Sequence, residues 1–433
     1  MSGETQRGSD WSSGTISVLA ILTLISALNY LDRSLLGLAL PAIQAEMALS
    51  DTMLGIVSGV VFVLFYSTLG VPIAWLADHW NRRNIIAIGL VFWSLMTFVT
   101  GWVTNLWQLA AARFLMGAGE ACGLAPSNSM LGDLFRKASR PLALAIFGTA
   151  NSLSFAVFYP VMGAVSAAFG WRAMFFAAGI PGLALAVIFV RIVREPVRGA
   201  AEESTARVVD EPVPFGTMLA ALLQLRAYLL LLLGSAFMGA VVYATSTWSP
   251  TFLTRVHHLT TAEIASSIGP MRGLIGGLGI LLGGVLTDLL GRRDERWRLR
   301  VPALACLLAA PAEALFLLGD ATSAWATGFG LASFLTLLHQ APIFAAVISV
   351  VPVRMRALAI SLLVLSSGLV GQALGPLFIG LLSDQLRAEY GPLALRYSLL
   401  SLPVCAALAG LSFWGAGRIA GQKPREALSP RAA

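Results

Sequence analysis

A long apolar run from about Thr15 to Leu40 carries Asn29-Tyr30-Leu31-Asp32-Arg33 in its interior. Crossing a bilayer takes roughly 20 apolar residues, so the run is long enough to span and places this acid and base near mid-depth. A charge there costs about 2.5–3.5 kcal/mol on insertion scales. Side chains of this kind must face protein or a water-filled cavity, and they must have partners. The best partners stand in Arg113-Phe114-Leu115-Met116-Gly117-Ala118-Gly119-Glu120. Arg113 and Glu120 are seven residues apart, which puts them on one helix face about 10 Å apart along the axis. Adjacent Asp32 and Arg33 diverge by about 100° and can reach different neighbours. The expectation is a buried cluster of four charges, Asp32, Arg33, Arg113 and Glu120, in a transporter-like cavity. The competing reading is an ion-pair set that only pins two helices. An all-apolar contact would pack those helices at lower cost, which favours function.

The elements that position such a cluster are membrane spans. Charged residues are 12% of the 433, against 57% apolar, the balance of a polytopic membrane protein rather than a soluble one. The net charge of +7 is explained by short basic loops between apolar runs, so nucleic acid is not expected as a partner. Cys122, Cys306 and Cys405 all lie in apolar segments, and packing explains them better than disulfides. The stretch from Met1 to Ser13 is polar, and the run after it is too long and too charged for a cleaved signal peptide.

Twelve apolar runs follow one another, the first centred near residue 28 and the last near residue 403. Alternate loops hold Arg82/Arg83, Arg136/Lys137/Arg140, Arg191/Arg194/Arg198, Arg292/Arg293/Arg296/Arg298/Arg300 and Arg354/Arg356, with Arg418, Lys423, Arg425 and Arg431 in the tail. The opposite loops hold only Arg172, Arg255, Arg387 and Arg396. Basic loops stay inside, so both termini are expected in the cytoplasm and the protein in the inner (plasma) membrane. The stretch 195–216, with Glu202, Glu203, Asp210 and Glu211 against Arg198 and Arg207, reads as a polar linker. It divides a six-helix bundle over 1–194 from a second over 217–433.

The two halves repeat. Ala74-x-x-x-Asp78-x-x-Asn81-Arg82-Arg83 recurs 210 residues on (74 to 284) as Gly284-x-x-x-Asp288-x-x-Gly291-Arg292-Arg293. Pro160-x-x-Gly163 is echoed by Gly375-Pro376-x-x-x-Gly380, and Arg140 by Arg356. An all-α membrane protein of twelve transmembrane helices in two pseudo-symmetric six-helix halves follows.

Those loop signatures, Arg113-x-x-x-Gly117-x-Gly119 and the Gly-Pro pattern resemble the major facilitator superfamily (MFS) across the whole chain. Asn29-Tyr30-Leu31-Asp32-Arg33, Gly119-Glu120-Ala121, Asp133-Leu134-Phe135 and Arg194-Glu195-Pro196-Val197-Arg198-Gly199 resemble its Spinster family, whose animal members are implicated in sphingolipid and lysophospholipid export. The first of these signatures is shared with organic anion:cation symporters, and Ala74 departs from the usual glycine of the loop motif. The resemblance implies a latch between the halves. In it Asp78 engages the start of span eleven near Arg354/Arg356, and Asp288 the start of span five near Arg136/Arg140. Arg82, Arg83, Arg292 and Arg293 belong to the same gating motif.

The second half offers fewer buried charges. Arg272 could contact an anionic substrate or form a structural pair. Glu313 reads as peripheral or helix-pairing, and His339 as a satisfied hydrogen-bonding residue. Tyr243, Trp248, Phe237 and Met238 would suit a cavity wall, with a lipid-facing position or core packing as the alternatives. The only lysines, Lys137 and Lys423, do not precede Ser or Thr in a phosphate-binding loop, and no catalytic or metal-binding signature occurs. No enzyme activity, cofactor or metal is expected. The reading is a secondary transporter working by alternating access, with Asp32 and Glu120 as proton-coupling sites and Arg33 and Arg113 holding an anionic head group. Its expected partners are an amphiphilic small molecule of sphingolipid or lysophospholipid type, or a hydrophobic drug, together with protons and membrane lipids, and a monomer is expected. The alternatives are an organic anion:proton symporter and a non-transporting membrane sensor.

The basic-loop imbalance makes topology testable. In a variant without the natural cysteines, single cysteines at positions 6, 138, 294 and 428 should resist an impermeant thiol reagent added outside intact cells. Ready labelling at any two of them would reverse the orientation.

Overall fold

A computed structural model describes residues 11–198 and 215–420, and every regular element among them is helical. Apolar surroundings leave an unpaired backbone N–H or C=O at a cost of several kcal/mol, and a helix satisfies both within itself. Most of the expected linker, and Lys423, Arg425 and Arg431 of the tail, lie outside the described residues.

Nine helical stretches among the described residues are long and apolar enough to cross a membrane. The twelve apolar runs differ from these nine in three places, each with a local cause. Arg140–Ile192 and Leu358–Ala420 are 53 and 63 residues long, and at about 1.5 Å per residue each exceeds twice the roughly 30 Å of hydrocarbon. Gly170 interrupts the first with φ 85°, and Gly391 the second with φ 55°. Only glycine takes such angles without strain. The third case is the run near residue 120, where the turn Ala121–Gly123 separates Leu106–Glu120 from Leu124–Leu134 and leaves both pieces short.

Contacts divide the chain into two compact units. One comprises Met1–Leu49, Val61–Val209 and Thr260–Gly269, and the other Ser50–Val60, Asp210–Leu259 and Pro270–Ala433. In the first unit Gly119 brings Leu106–Glu120 onto the fully buried Trp93, where an added Cβ would lie 2.9 Å from the Trp93 backbone nitrogen. That approach sets the depth at which Glu120 sits. Four turns of π-helix, Ile56–Val60, Ser154–Phe158, Met271–Ile275 and Ser366–Leu374, interrupt the second, fifth, eighth and eleventh apolar runs. The step from Ile56 to Met271, and that from Ser154 to Ser366, stays close to the repeat of the loop signature, so the two halves repeat in backbone as well as in sequence.

In the second unit Asp51 lies in the first turn of a helix and binds Arg255 through both carboxylate oxygens, at 2.5 and 2.8 Å. Ser383 donates to Asp51 at 2.6 Å, and the Asp384 carboxylate accepts the Asp51 and Thr52 backbone N–H groups at 3.0 and 2.8 Å. Two acids at a helix start suit its unpaired N–H groups and positive dipole end. Gly380 permits the approach, since a Cβ there would stand 2.8 Å from the Asp51 carbonyl carbon. Gly380→Ala should therefore destabilise the protein by about 1–3 kcal/mol through overpacking. The effect should appear as a lower unfolding midpoint of the purified protein, and an unchanged midpoint would mean the contact does not form.

Candidate functional site

The four expected charges come together in the first unit. Asp32 and Arg33 stand on Ser13–Met47, Arg113 and Glu120 on Leu106–Glu120, and Asp32, Arg113 and Glu120 are all buried. Arg33 Nε donates to Glu120 Oε2 at 2.6 Å, with the arginine side chain 18% exposed and the glutamate fully covered. Arg113 is fixed differently from the expected carboxylate pairing. Its Nη1 donates to the main-chain oxygen of Asp32 at 3.4 Å and lies 3.2 Å from Met116 Sδ.

Aromatic rings complete the cation environment. The Arg33 guanidinium stands 4.4 Å from the Tyr66 ring centre and 5.2 Å from that of Phe62, and Arg113 stands 5.1 Å from Phe62 on its own account. Phe62 is fully buried, and a desolvated cation–π contact contributes about 2 kcal/mol. Phe62 and Tyr66 were not singled out from the sequence. Their spacing of four, which places both on one face of a span, was the signal available.

Glu120 Oε1 makes no hydrogen bond. The Asn29 amide is its near neighbour without closing one, and Thr97, whose hydroxyl donates to the Trp93 carbonyl at 3.1 Å, neighbours Asp32. A recess bounded by Asn29, Tyr30, Arg33, Tyr66, Trp93 and Ser127 leads to this cluster, with an inner volume of about 30 Å³. That is room for about one water. Chemically, the arrangement offers a buried carboxylate with one oxygen engaged by arginine and one open, beside a second buried acid. A proton on Glu120, or an anion competing for Arg33, would break the same ion pair.

The residues of the expected gating motif lie elsewhere. Arg82 is buried and donates to Asp133 at 2.5 Å, Glu195 at 2.7 Å, Ser129 at 2.9 Å and the Pro196 carbonyl at 3.1 Å. The Arg83 backbone N–H donates to Glu195 at 2.9 Å, and its side chain to the Val190 carbonyl. Arg198 donates to the Ala77, Asp78 and Trp80 carbonyls, satisfying the end of a helix. Arg140 donates to the Gly132 and Phe135 carbonyls. Asp78, Asp288, Arg292 and Arg293 are exposed, and Arg356 is half-buried.

In the second unit Arg272 donates to the Val242 carbonyl at 3.2 Å and lies in the electrostatic neighbourhood of Glu313. Glu313 is only 2% exposed and receives the Thr245 hydroxyl at 3.4 Å, so it is a core residue, not a peripheral one. Tyr243 is half-buried. Trp248 has no exposed surface and donates to the Pro376 carbonyl at 3.0 Å, an anchoring contact within the packing. His339 is buried with its ring nitrogen on the Thr336 carbonyl. Among the described residues, no group of three His, Cys, Asp or Glu side chains could hold a metal ion.

The Arg82 network generates a stability test. Arg82→Ala leaves Asp133 and Glu195 without their cation, and since these acids keep 16% and 22% exposure the loss should stay below the cost of about 3–5 kcal/mol for a fully buried pair. Arg82→Lys replaces a fork by a point charge and should recover only part of that loss. Unfolding midpoints of the purified variants check both expectations.

The sequence pattern of the Major Facilitator Superfamily matches residues 22–376. An MFS-type efflux pump of Mycolicibacterium smegmatis is 29% identical over 399 residues, covering 92% of this chain and 91% of that protein. The sphingosine-1-phosphate transporter SPNS2 of Danio rerio is 28% identical over 421 residues, covering 91% and 82%. Among solved structures, a bacterial homologue of the human lysosomal transporter Spinster superposes with a TM-score of 0.84 at 26% identity, covering 95% of this chain and 98% of that one.

Proposed function

Because this chain is a Spinster-like member of the Major Facilitator Superfamily, and so a multi-pass membrane transporter and not an enzyme, we propose that it is a proton-coupled carrier of an amphiphile with an anionic or zwitterionic head. The observation that carries the proposal is the 2.6 Å pair between Arg33 and the fully covered Glu120, with Asp32 and Arg113 beside it. Arginine stays charged, so it holds a carboxylate ionised until a head group or a proton competes. Binding of the head at Arg33 and Arg113 frees Glu120 to take a proton, and Asp32 is the second coupling acid. The six-span halves, 1–194 and 217–433, would rock about this site in alternating access, with both termini cytoplasmic. Asp78 and Asp288, with Arg82, Arg83, Arg292, Arg293, Arg140 and Arg356, would latch and release the halves. Similarity to a sphingosine-1-phosphate transporter supports a lipid-like substrate, and similarity to an efflux pump supports hydrophobic drugs as further cargo.

A second reading rests on a specific observation. The half-buried Arg272 lies in the electrostatic neighbourhood of the buried Glu313, which gives the second unit charge of its own, the two-sided polarity that a small organic anion would require. The two readings diverge in one experiment. In proteoliposomes with an imposed pH gradient, uptake of a long-chain lysolipid should depend on the gradient. Glu120→Gln and Asp32→Asn should each abolish that dependence, and Arg33→Lys should weaken lysolipid binding about tenfold, a bidentate fork being reduced to a point charge. Retained pH dependence in both carboxamide variants would remove these acids from coupling. Binding of dicarboxylates or sugar acids without lysolipids, abolished by Arg272→Ala, would establish the anion symporter instead.

A further inference from the structure

Away from the charge cluster, the second unit has a basic recess that the transport mechanism does not use. It lies where the helix Trp297–Leu318 begins and the helix Ser401–Ala420 ends, encloses about 390 Å³, and is lined by Arg296, Arg300, Trp414, Gly417 and Arg418 over a floor of Leu299 and Phe413. Arg296 and Arg418 are exposed, and neither side chain has an acidic partner among the described residues. Arg300 has only Asp294, at 4.0 Å. The Arg300 guanidinium is 5.7 Å from the Trp297 ring centre and 5.9 Å from that of Trp414, so it stands within cation–π reach of both indoles. The first turn of Trp297–Leu318 has no side-chain cap. The N–H groups of residues 297–300 are taken by the Asp294, Glu295 and Arg296 carbonyls, so the helix start adds only its positive dipole end to the three cations.

We propose that this recess binds the phosphate head group of an anionic phospholipid from the surrounding leaflet, as a resident lipid and not as cargo. A membrane boundary with two tryptophans and converging arginines matches a phosphodiester at head-group depth. The apolar half of the ligand has its own track. Leu304 and Leu308 follow Arg300 at intervals of four, and Leu411 and Val404 lie seven and fourteen residues before Arg418. Each set therefore shares one helix face with its arginine. All four are exposed, from 37% for Leu304 to 58% for Leu411 and Val404. A head group in the recess would lay its acyl chains along these residues, which a free phosphate would leave uncovered.

The test is native mass spectrometry of the delipidated full-length protein titrated with phosphatidylglycerol or phosphatidylcholine. Phosphatidylglycerol should be retained preferentially. Replacing Arg296, Arg300 and Arg418 together by Gln should abolish the preference, since one arginine near an anionic lipid contributes about fivefold. Arg387→Gln, an exposed arginine elsewhere in the unit, should leave it unchanged. Glycerol phosphate at millimolar concentration should not displace the lipid. Should the triple variant fail to fold, Arg418→Gln alone, at an exposed position, should weaken retention about fivefold. Undiminished phosphatidylglycerol preference in the folded triple variant, or in Arg418→Gln, would overturn the proposal. Equal displacement by glycerol phosphate would also overturn it, reducing the recess to a general anion site.

Discussion

A charge in hydrocarbon persists only where a counter-charge or dipole meets it, and the pair of Arg33 with Glu120 is the point where this chain accepts that constraint most deeply. A glutamate with no exposed surface carries a desolvation penalty of several kcal/mol, which a single well-aligned arginine repays only in part. The remainder falls to the surroundings. Phe62 supplies a π face to two arginines at once, Tyr66 supplies another to Arg33, and Gly119 lets the supporting helix seat against Trp93. Packing and electrostatics therefore cannot be separated here, because replacing the ring or the glycine would move the charges.

The same economy recurs at two other places. Arg82 ties Asp133 to Glu195, and Arg255 ties Asp51 into a set with Ser383. In each set one guanidinium joins segments far apart in sequence, using the fork geometry that lysine lacks. A chain with 29 basic residues of which only two are lysines fits that use. Several of its bases close the ends of helices or join distant segments.

The spans, the repeat and the four-charge cluster were legible in the sequence because each follows from a one-dimensional rule: apolar length, fixed offset, or helical spacing of charges. The pairings were less so. Asp133 and Glu195 stood in recognisable motifs, yet nothing along the chain indicated that both would close on Arg82. Nothing in the spacing of Asp51, Arg255 and Asp384 marks them as one set, because they stand on three different helices. Glu313 could be peripheral or helix-pairing by sequence, and the choice was open because its neighbours, Thr245 and Arg272, come from two other spans. For Trp248 a cavity wall and core packing are both open along the chain, and the full burial of the ring with its indole N–H on the Pro376 carbonyl agrees with core packing. Which partner a polar side chain finds is decided by helix rotation and depth, which spacing along one helix leaves undetermined.

The four π-helical turns carry a mechanical consequence. Three are single turns of five residues and Ser366–Leu374 runs over nine, and in all four the hydrogen bonds reach one position further than normal. Such a bulge can travel along its helix by exchanging one bond at a time, without opening the backbone to lipid. Every residue it passes swings through about 100°, the angle of one step around the helix. Four helices built this way, two from each repeat, can re-aim the side chains they present while remaining continuous rods, as a ruck moves through a carpet without the carpet tearing.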